Sequence, residues 1–252
     1  MTLVTARAVN DPRPYRRGVL NWLFGGVALL NVYALALVVL RAPLYGTRVY
    51  RPMLLNIGLS IAPVLVLGGV VLVDAVLIAG GAPKGVVYTV GALGLLVWLL
   101  LLPNAGYLVT ELNYSHRRDG ERVPLWYDIV AVLTLAMSGV LNTVVNVFFA
   151  QALVAILLYP QDDAPFLRPA SWVAVVVVLA LVTFGIYLGR YVRFNSWDLL
   201  HPAQFVRKLV QHFRGQGVVR DALLFCVLHT VFLAVIYGIV TGPITALLVR
   251  GA

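Results

Sequence analysis

Six apolar runs, each about as long as a bilayer is thick, leave this chain one broad way to fold. A spanning helix needs about 20 mostly apolar residues, because each adds ~1.5 Å across a ~30 Å hydrocarbon layer. Such runs lie roughly at 19–40, 53–80, 86–103, 125–158, 171–192 and 219–248. Hydrophobic residues make up 61% of the chain and mean hydropathy is +0.92, against about 45–50% apolar in soluble domains. None of the runs alternates with period two, as a transmembrane barrel requires. The expected fold is all-α, a polytopic transmembrane helical bundle of about six spans. Residues 1–18 read as a basic N-terminal tail and 19–252 as a single transmembrane domain.

Three details refine that picture. Runs 53–80 and 125–158 exceed one span, which predicts tilt, extension past the membrane, or a break near Pro63 or Gly139. The first run, about 22 residues, is too long for a signal-peptide core of roughly 7–15 and is read as a retained span. Its preceding tail, with Asn10, Pro12 and Pro14, is read as irregular. Cys226 is the sole cysteine and lies in an apolar run, so neither an intrachain disulfide nor a thiolate metal site is expected.

Charge then separates the two membrane faces. The connections after the first, third and fifth runs, with the short flanks of those runs, carry twelve Lys and Arg, against seven on the other side. The positive-inside rule places the richer face in the cytoplasm, with the motif face outward as the alternative. The basic residues are spread along membrane edges and not gathered in a soluble domain. Anionic lipid headgroups are therefore the expected counter-ions, and nucleic acid is not an expected partner. In AQFVRKLVQHFR (203–214), Phe205, Leu209 and Phe213 recur at helical spacing, with Arg207, Lys208, Gln211 and Arg214 on other faces. That pattern predicts an interfacial amphipathic helix. A protein partner or a homo-oligomer is compatible with all of this.

Polar residues concentrate in three blocks: LPNAGYLVTEL (102–112), PLWYD (124–128) and GRYVRFNSWD (189–198). The first closes the third run, the second opens the fourth and the third closes the fifth. Helix ends of that parity share one membrane face, so Asn104, Glu111, Asp128, Arg190, Arg193, Asn195 and Asp198 can converge there. In the first block, Pro103 disfavours helix at Leu102 and predicts a break or kink. Two outcomes stay open: a re-entrant or cavity-lining segment, or a plain helix end with an interfacial turn. Tyr107, Thr110 and Glu111 would share a face if the helix resumes.

Pro124 and Asp128 suit a helix start, where an acid meets the positive end of the dipole. Ser138, Asn142 and Asn146 recur every four residues beyond it. They are interhelical hydrogen-bonding residues or the lining of a hydrated path. Arg190 and Arg193 lie one helical turn apart. Paired guanidinium groups bind carboxylate or phosphate in a planar fork, so they are either an anion clamp or counter-ions for Asp128, Asp198 and Glu111. Snorkelling to the headgroups is the plainer alternative.

Together the blocks resemble a family of bacterial predicted multi-pass membrane proteins known as a domain of unknown function, over roughly residues 55–248. The resemblance implies a bacterial inner-membrane protein of several helices and no stated activity. The family pattern carries a His three residues after the acid at 111, where this chain has Tyr114; His116 falls two later, so no metal-ligand role carries over to it. Glu111, His116, Asp128 and Asp198 are ligand types without tight ligand spacing, and no metal is expected. Nothing identifies a cofactor. His229 and Asp74, inside spans, read as hydrogen-bonded packing and as a residue near the interface.

Two functions remain. One is a binding or transport protein, or a complex subunit, recognising an anionic headgroup or metabolite through Asn104, Tyr107, Thr110, Arg190, Arg193 and Asn195. The other is an intramembrane enzyme on a lipid-linked substrate, with Glu111, Asp128 or Asp198 as general acid or base.

Overall fold

The computed structural model describes residues 13–113, 122–162, 164–192 and 202–249, and among these there is no strand. In chain order the elements are α1 (Arg13–Tyr45), α2 (Arg51–Ala79), α3 (Lys84–Leu101), α4 (Pro103–Tyr107) and a 3₁₀ turn (Leu108–Asn113). After them come α5 (Leu125–Leu158), a second 3₁₀ turn (Pro165–Leu167), α6 (Pro169–Tyr187), a π turn (Leu188–Val192), α7 (Pro202–Phe213) and α8 (Val218–Val249). Six stretches are long and apolar enough to cross a membrane: Gly18–Tyr45, Arg51–Ala79, Lys84–Thr110, Leu125–Leu158, Pro169–Val192 and Val218–Leu247.

The expected bundle is present, with one correction at its start. Helix begins at Arg13, so the latter part of the tail is ordered backbone and not irregular. Pro14 then falls in the first turn, where its missing N–H costs no hydrogen bond. Neither long run breaks. Pro63 lies buried inside a continuous α2, and α5 runs 34 residues straight through Gly139. At ~1.5 Å per residue α5 is ~51 Å long, which leaves tilt or extension as the way to fit a bilayer.

α5 is the centre of the bundle. It is the most buried span and packs on α1, α2, α4, α6 and α8. The core around it joins Trp98 and Leu102 to Val140, Val144 and Val147 of α5, Leu179 and Val182 of α6, and Leu233 and Tyr237 of α8. Around α5, α2 pairs with α3 and α6 with α8. The α2–α3 connection is tight: Gly81 adopts φ +71°, a left-handed conformation that favours glycine, and Pro83 precedes the first turn of α3.

The first polar block stays helical. Leu102 keeps right-handed helical geometry (φ −56°, ψ −36°), donating to the Trp98 carbonyl and accepting from the Ala105 amide. Pro103 cannot donate a backbone hydrogen bond and the helix is interrupted at Leu102, as expected, and α4 with its 3₁₀ turn packs against α2, α5 and α6. The segment is not a plain helix end: it continues the third apolar stretch as short helical pieces packed inside the bundle, with Ala105, Gly106 and Leu108 buried. Close packing explains why this is possible. A Cβ on Gly185 of α6 would lie 2.7 Å from Pro103 Cβ, and one on Gly139 would lie 2.9 Å from Leu108 Cβ. Glycines opposite the block let its backbone sit inside the bundle.

Candidate functional site

Asp128 stands in the first turn of α5, where the carboxylate faces the positive end of the helix dipole. Its ion-pair partner is Arg41 of α1, with Nε donating to Oδ1 at 3.0 Å. The pair is mostly withdrawn from surroundings, at 17% and 22% side-chain exposure. Tyr127 fixes the same junction. Its hydroxyl donates to the Leu37 carbonyl at 2.8 Å, and its ring meets Tyr45 edge-on at 5.1 Å. Arg41 ends the first span and Asp128 begins the fourth, so the contact requires both ends on one face. Arg41 is not among the residues expected to converge with Asp128.

The first and third blocks also meet. A Cβ on Gly189 would lie 3.7 Å from Tyr107 Cε2, so the Tyr107 ring rests on the backbone beside Arg190. Arg190 is half-buried on the π turn that ends the fifth span. A π turn holds one more residue than an α turn and is frequent at functional sites. Asn104 and Thr110 are less available than expected: Asn104 Nδ2 donates to the Leu101 carbonyl at 3.0 Å, and the Thr110 hydroxyl to the Tyr107 carbonyl at 2.7 Å. Both cap local backbone around the helix interruption. Glu111 lies on the 3₁₀ turn, with its side chain outside the described residues. Arg193, Asn195 and Asp198, together with Tyr114 and His116, also lie outside them.

An aromatic collar closes the end of the fifth span. Tyr187 stacks with Tyr191 (4.8 Å between centroids) and Phe213 (6.2 Å), and lies 5.6 Å from Phe225. Its hydroxyl is 2.9 Å from His212 Nε2 of α7. The collar joins α6, α7 and α8 next to Arg190.

Deeper in the bundle, the α5 stripe works as interhelical connection. Asn142 and Asn31 exchange amide hydrogen bonds at 2.8 and 3.0 Å. Asn142 also donates to Ser60 Oγ at 2.9 Å, and Ser60 donates in turn to the Ala105 carbonyl at 2.9 Å. Asn146 accepts from Trp98 Nε1 at 2.9 Å. Ser138 turns back to the Leu135 carbonyl of its own helix. This chain of bonds ties α1, α2, α3 and α4 to α5. The recurrence of Asn142 and Asn146 signals it in the sequence; nothing local marks Asn31, Ser60 and Trp98 as their partners, since that depends on which helices become neighbours.

Two further groups stand apart. His229 donates through Nδ1–H to the Phe225 carbonyl, 2.8 Å away, and stacks on the Phe225 ring, which is the packing role expected of it. Asp74 lies against Gly91 of α3, and its Oδ1 is buried with no hydrogen-bond partner among the described residues.

With this arrangement in view, comparison with known proteins gives one match. The family described as protein of unknown function DUF1361 matches residues 64–236, more than half of the chain. The chain belongs to that family. The matched region runs from α2 to α8 and contains all three polar blocks, whereas α1 and its Arg41 fall before it. No curated protein and no solved structure matches the chain.

Proposed function

We propose that the motif face binds an anionic headgroup or metabolite, with Arg190 as the charged anchor and the Tyr107 ring as one wall. The chain would then act as a binding or transport component, or as a subunit of a larger membrane complex. The observation that carries this reading is the π turn: it carries a half-buried arginine next in sequence to Gly189, on which the Tyr107 ring rests, where the first and third blocks touch. A guanidinium there offers a planar donor fork to phosphate or carboxylate. The Arg41–Asp128 pair holds α1 against α5 on the same face. In this reading Asp128 positions helices, which favours a binder over an enzyme that would use it as acid or base.

The test uses the full chain in detergent, with retention of phosphatidylglycerol, polyprenyl phosphate and inorganic phosphate followed by native mass spectrometry and products followed in parallel. Retention without conversion is expected. Arg190→Lys keeps the charge but loses the fork and should weaken retention about tenfold, a loss of ~1.4 kcal/mol. Lipid phosphate retained where inorganic phosphate is not would identify a headgroup as the source. Equal retention by wild type and Arg190→Gln would refute the site. Conversion of a lipid-linked substrate would move the assignment to the enzyme.

A further inference from the structure

α7 divides into three sectors when its residues are placed at about 100° per residue around the axis. Phe205, Leu209, His212 and Phe213 fall on one side and are half-buried. His212 and Phe213 of this side meet Tyr187, through the hydroxyl contact and the ring stack described above. Val206 and Val210 lie next to that sector and are 52% and 42% exposed. Gln204, Arg207, Lys208 and Gln211 occupy the remaining arc and are exposed, as is Arg214 just past the helix. An ordinary amphipathic surface helix has two faces, apolar toward its protein and polar toward water. Here the apolar arc is wider than the protein covers, and the surplus borders the cationic arc.

The topology fixes what this surplus meets. α7 connects the end of the fifth span to the start of the sixth, so it lies at the membrane edge on the motif face. Shallow insertion of Val206 and Val210 with Arg207 and Lys208 at headgroup level is the usual chemistry of an interfacial helix. The positive charge selects anionic headgroups, each basic side chain near such a surface being worth a measurable attraction. The inner sector matters as much. Tyr187 immediately precedes the π turn of Arg190, and its hydroxyl contacts His212.

We propose that α7 is a docking surface for an anionic lipid layer, and that the Tyr187–His212 contact passes its seating to the Arg190 turn. The lipid contact stands independently of the anion site described above, since it uses different residues and needs no soluble ligand. Seating of α7 orders Tyr187, and with it the backbone of 188–192. A membrane poor in anionic lipid leaves both looser.

Amide hydrogen exchange of the full chain in nanodiscs tests this, with phosphatidylcholine alone compared with phosphatidylcholine mixed with phosphatidylglycerol. Exchange across 203–213 should slow about tenfold or more in the anionic membrane, and exchange across 188–192 should slow with it. High salt should remove most of the difference. The double substitution Arg207→Gln/Lys208→Gln should abolish it. Tyr187→Phe keeps the ring stack but loses the hydroxyl, so α7 should still respond while 188–192 should not. The wild-type comparison needs no variant to fold. Equal exchange of α7 in the two membranes overturns the docking surface, and an unchanged lipid response in Arg207→Gln/Lys208→Gln does the same. A response confined to α7 in the wild type overturns the coupling to Arg190.

Discussion

Asn142→Ala should loosen the bundle at its middle, and the structure allows the size of the effect to be worked out. The substitution removes the two reciprocal bonds to Asn31 and the bond to Ser60 Oγ. Hydrogen bonds between membrane helices are worth ~0.6 kcal/mol on average, so three give ~2 kcal/mol. The groups left behind are not all orphaned. Asn31 Nδ2 still donates to the Val27 carbonyl at 2.9 Å, and Ser60 still donates to the Ala105 carbonyl. The full penalty for a buried unsatisfied group, ~1–3 kcal/mol, is then confined to Asn31 Oδ1, which loses its donor, and ~3–5 kcal/mol is the expected loss. Reversible unfolding in mixed micelles measures it, and a cycle with Asn31→Ala separates the pair from its surroundings. The double variant should lose less than the sum of the two single variants, because both remove the same reciprocal bonds. A loss under ~0.5 kcal/mol, or strict additivity, would refute the reading of this stripe as a cooperative connection.

Three further outcomes follow from the geometry. Asp128→Asn or Arg41→Gln should cost ~1–3 kcal/mol, between the values for exposed and fully buried pairs, and the swap Arg41→Asp/Asp128→Arg should recover part of the loss in thermal unfolding. Gly185→Ala should destabilise by ~1–3 kcal/mol in the same assay, since its Cβ would press on Pro103, and a neutral result would mean that α4 is not packed on α6 as described. On the opposite face the Arg168 side chain and the Ala164 amide hold Asp162 below the usual carboxylate range. The stability this confers is present above the unfolded pKa and lost as pH falls through the depressed folded value, so melting curves of wild type and Asp162→Asn should converge in strong acid and differ near neutrality.

The spans were legible because length and apolarity alone decide whether a helix can cross a bilayer. The shared face was legible too, since parity follows from counting spans. What the sequence did not reveal depends on which helices become neighbours. Arg41 looks like an ordinary edge charge in its run, and only the packing of α1 on α5 makes it the partner of Asp128. Pro103 reads as a break, and the helix is interrupted there, but that Gly185 and Gly139 let the following segment pack inside the bundle could not be read from it. The π turn at Leu188–Val192 has no signature in the residue types of LGRYV, and the Tyr107 ring that packs on its Gly189 comes from a distant part of the chain. For the same reason Tyr187 reads only as an apolar-run aromatic, although it links α6, α7 and α8.

The claim that the first and third blocks meet at one site can be tested directly by placing a photoreactive p-benzoylphenylalanine at position 107 of the full chain in a bilayer. The ring of Tyr107 rests on Gly189, so irradiation should give an intrachain adduct mapping to 188–192 by peptide mass spectrometry. Adducts confined to lipid, or to peptides outside 188–192, would contradict the convergence on which the proposed site depends.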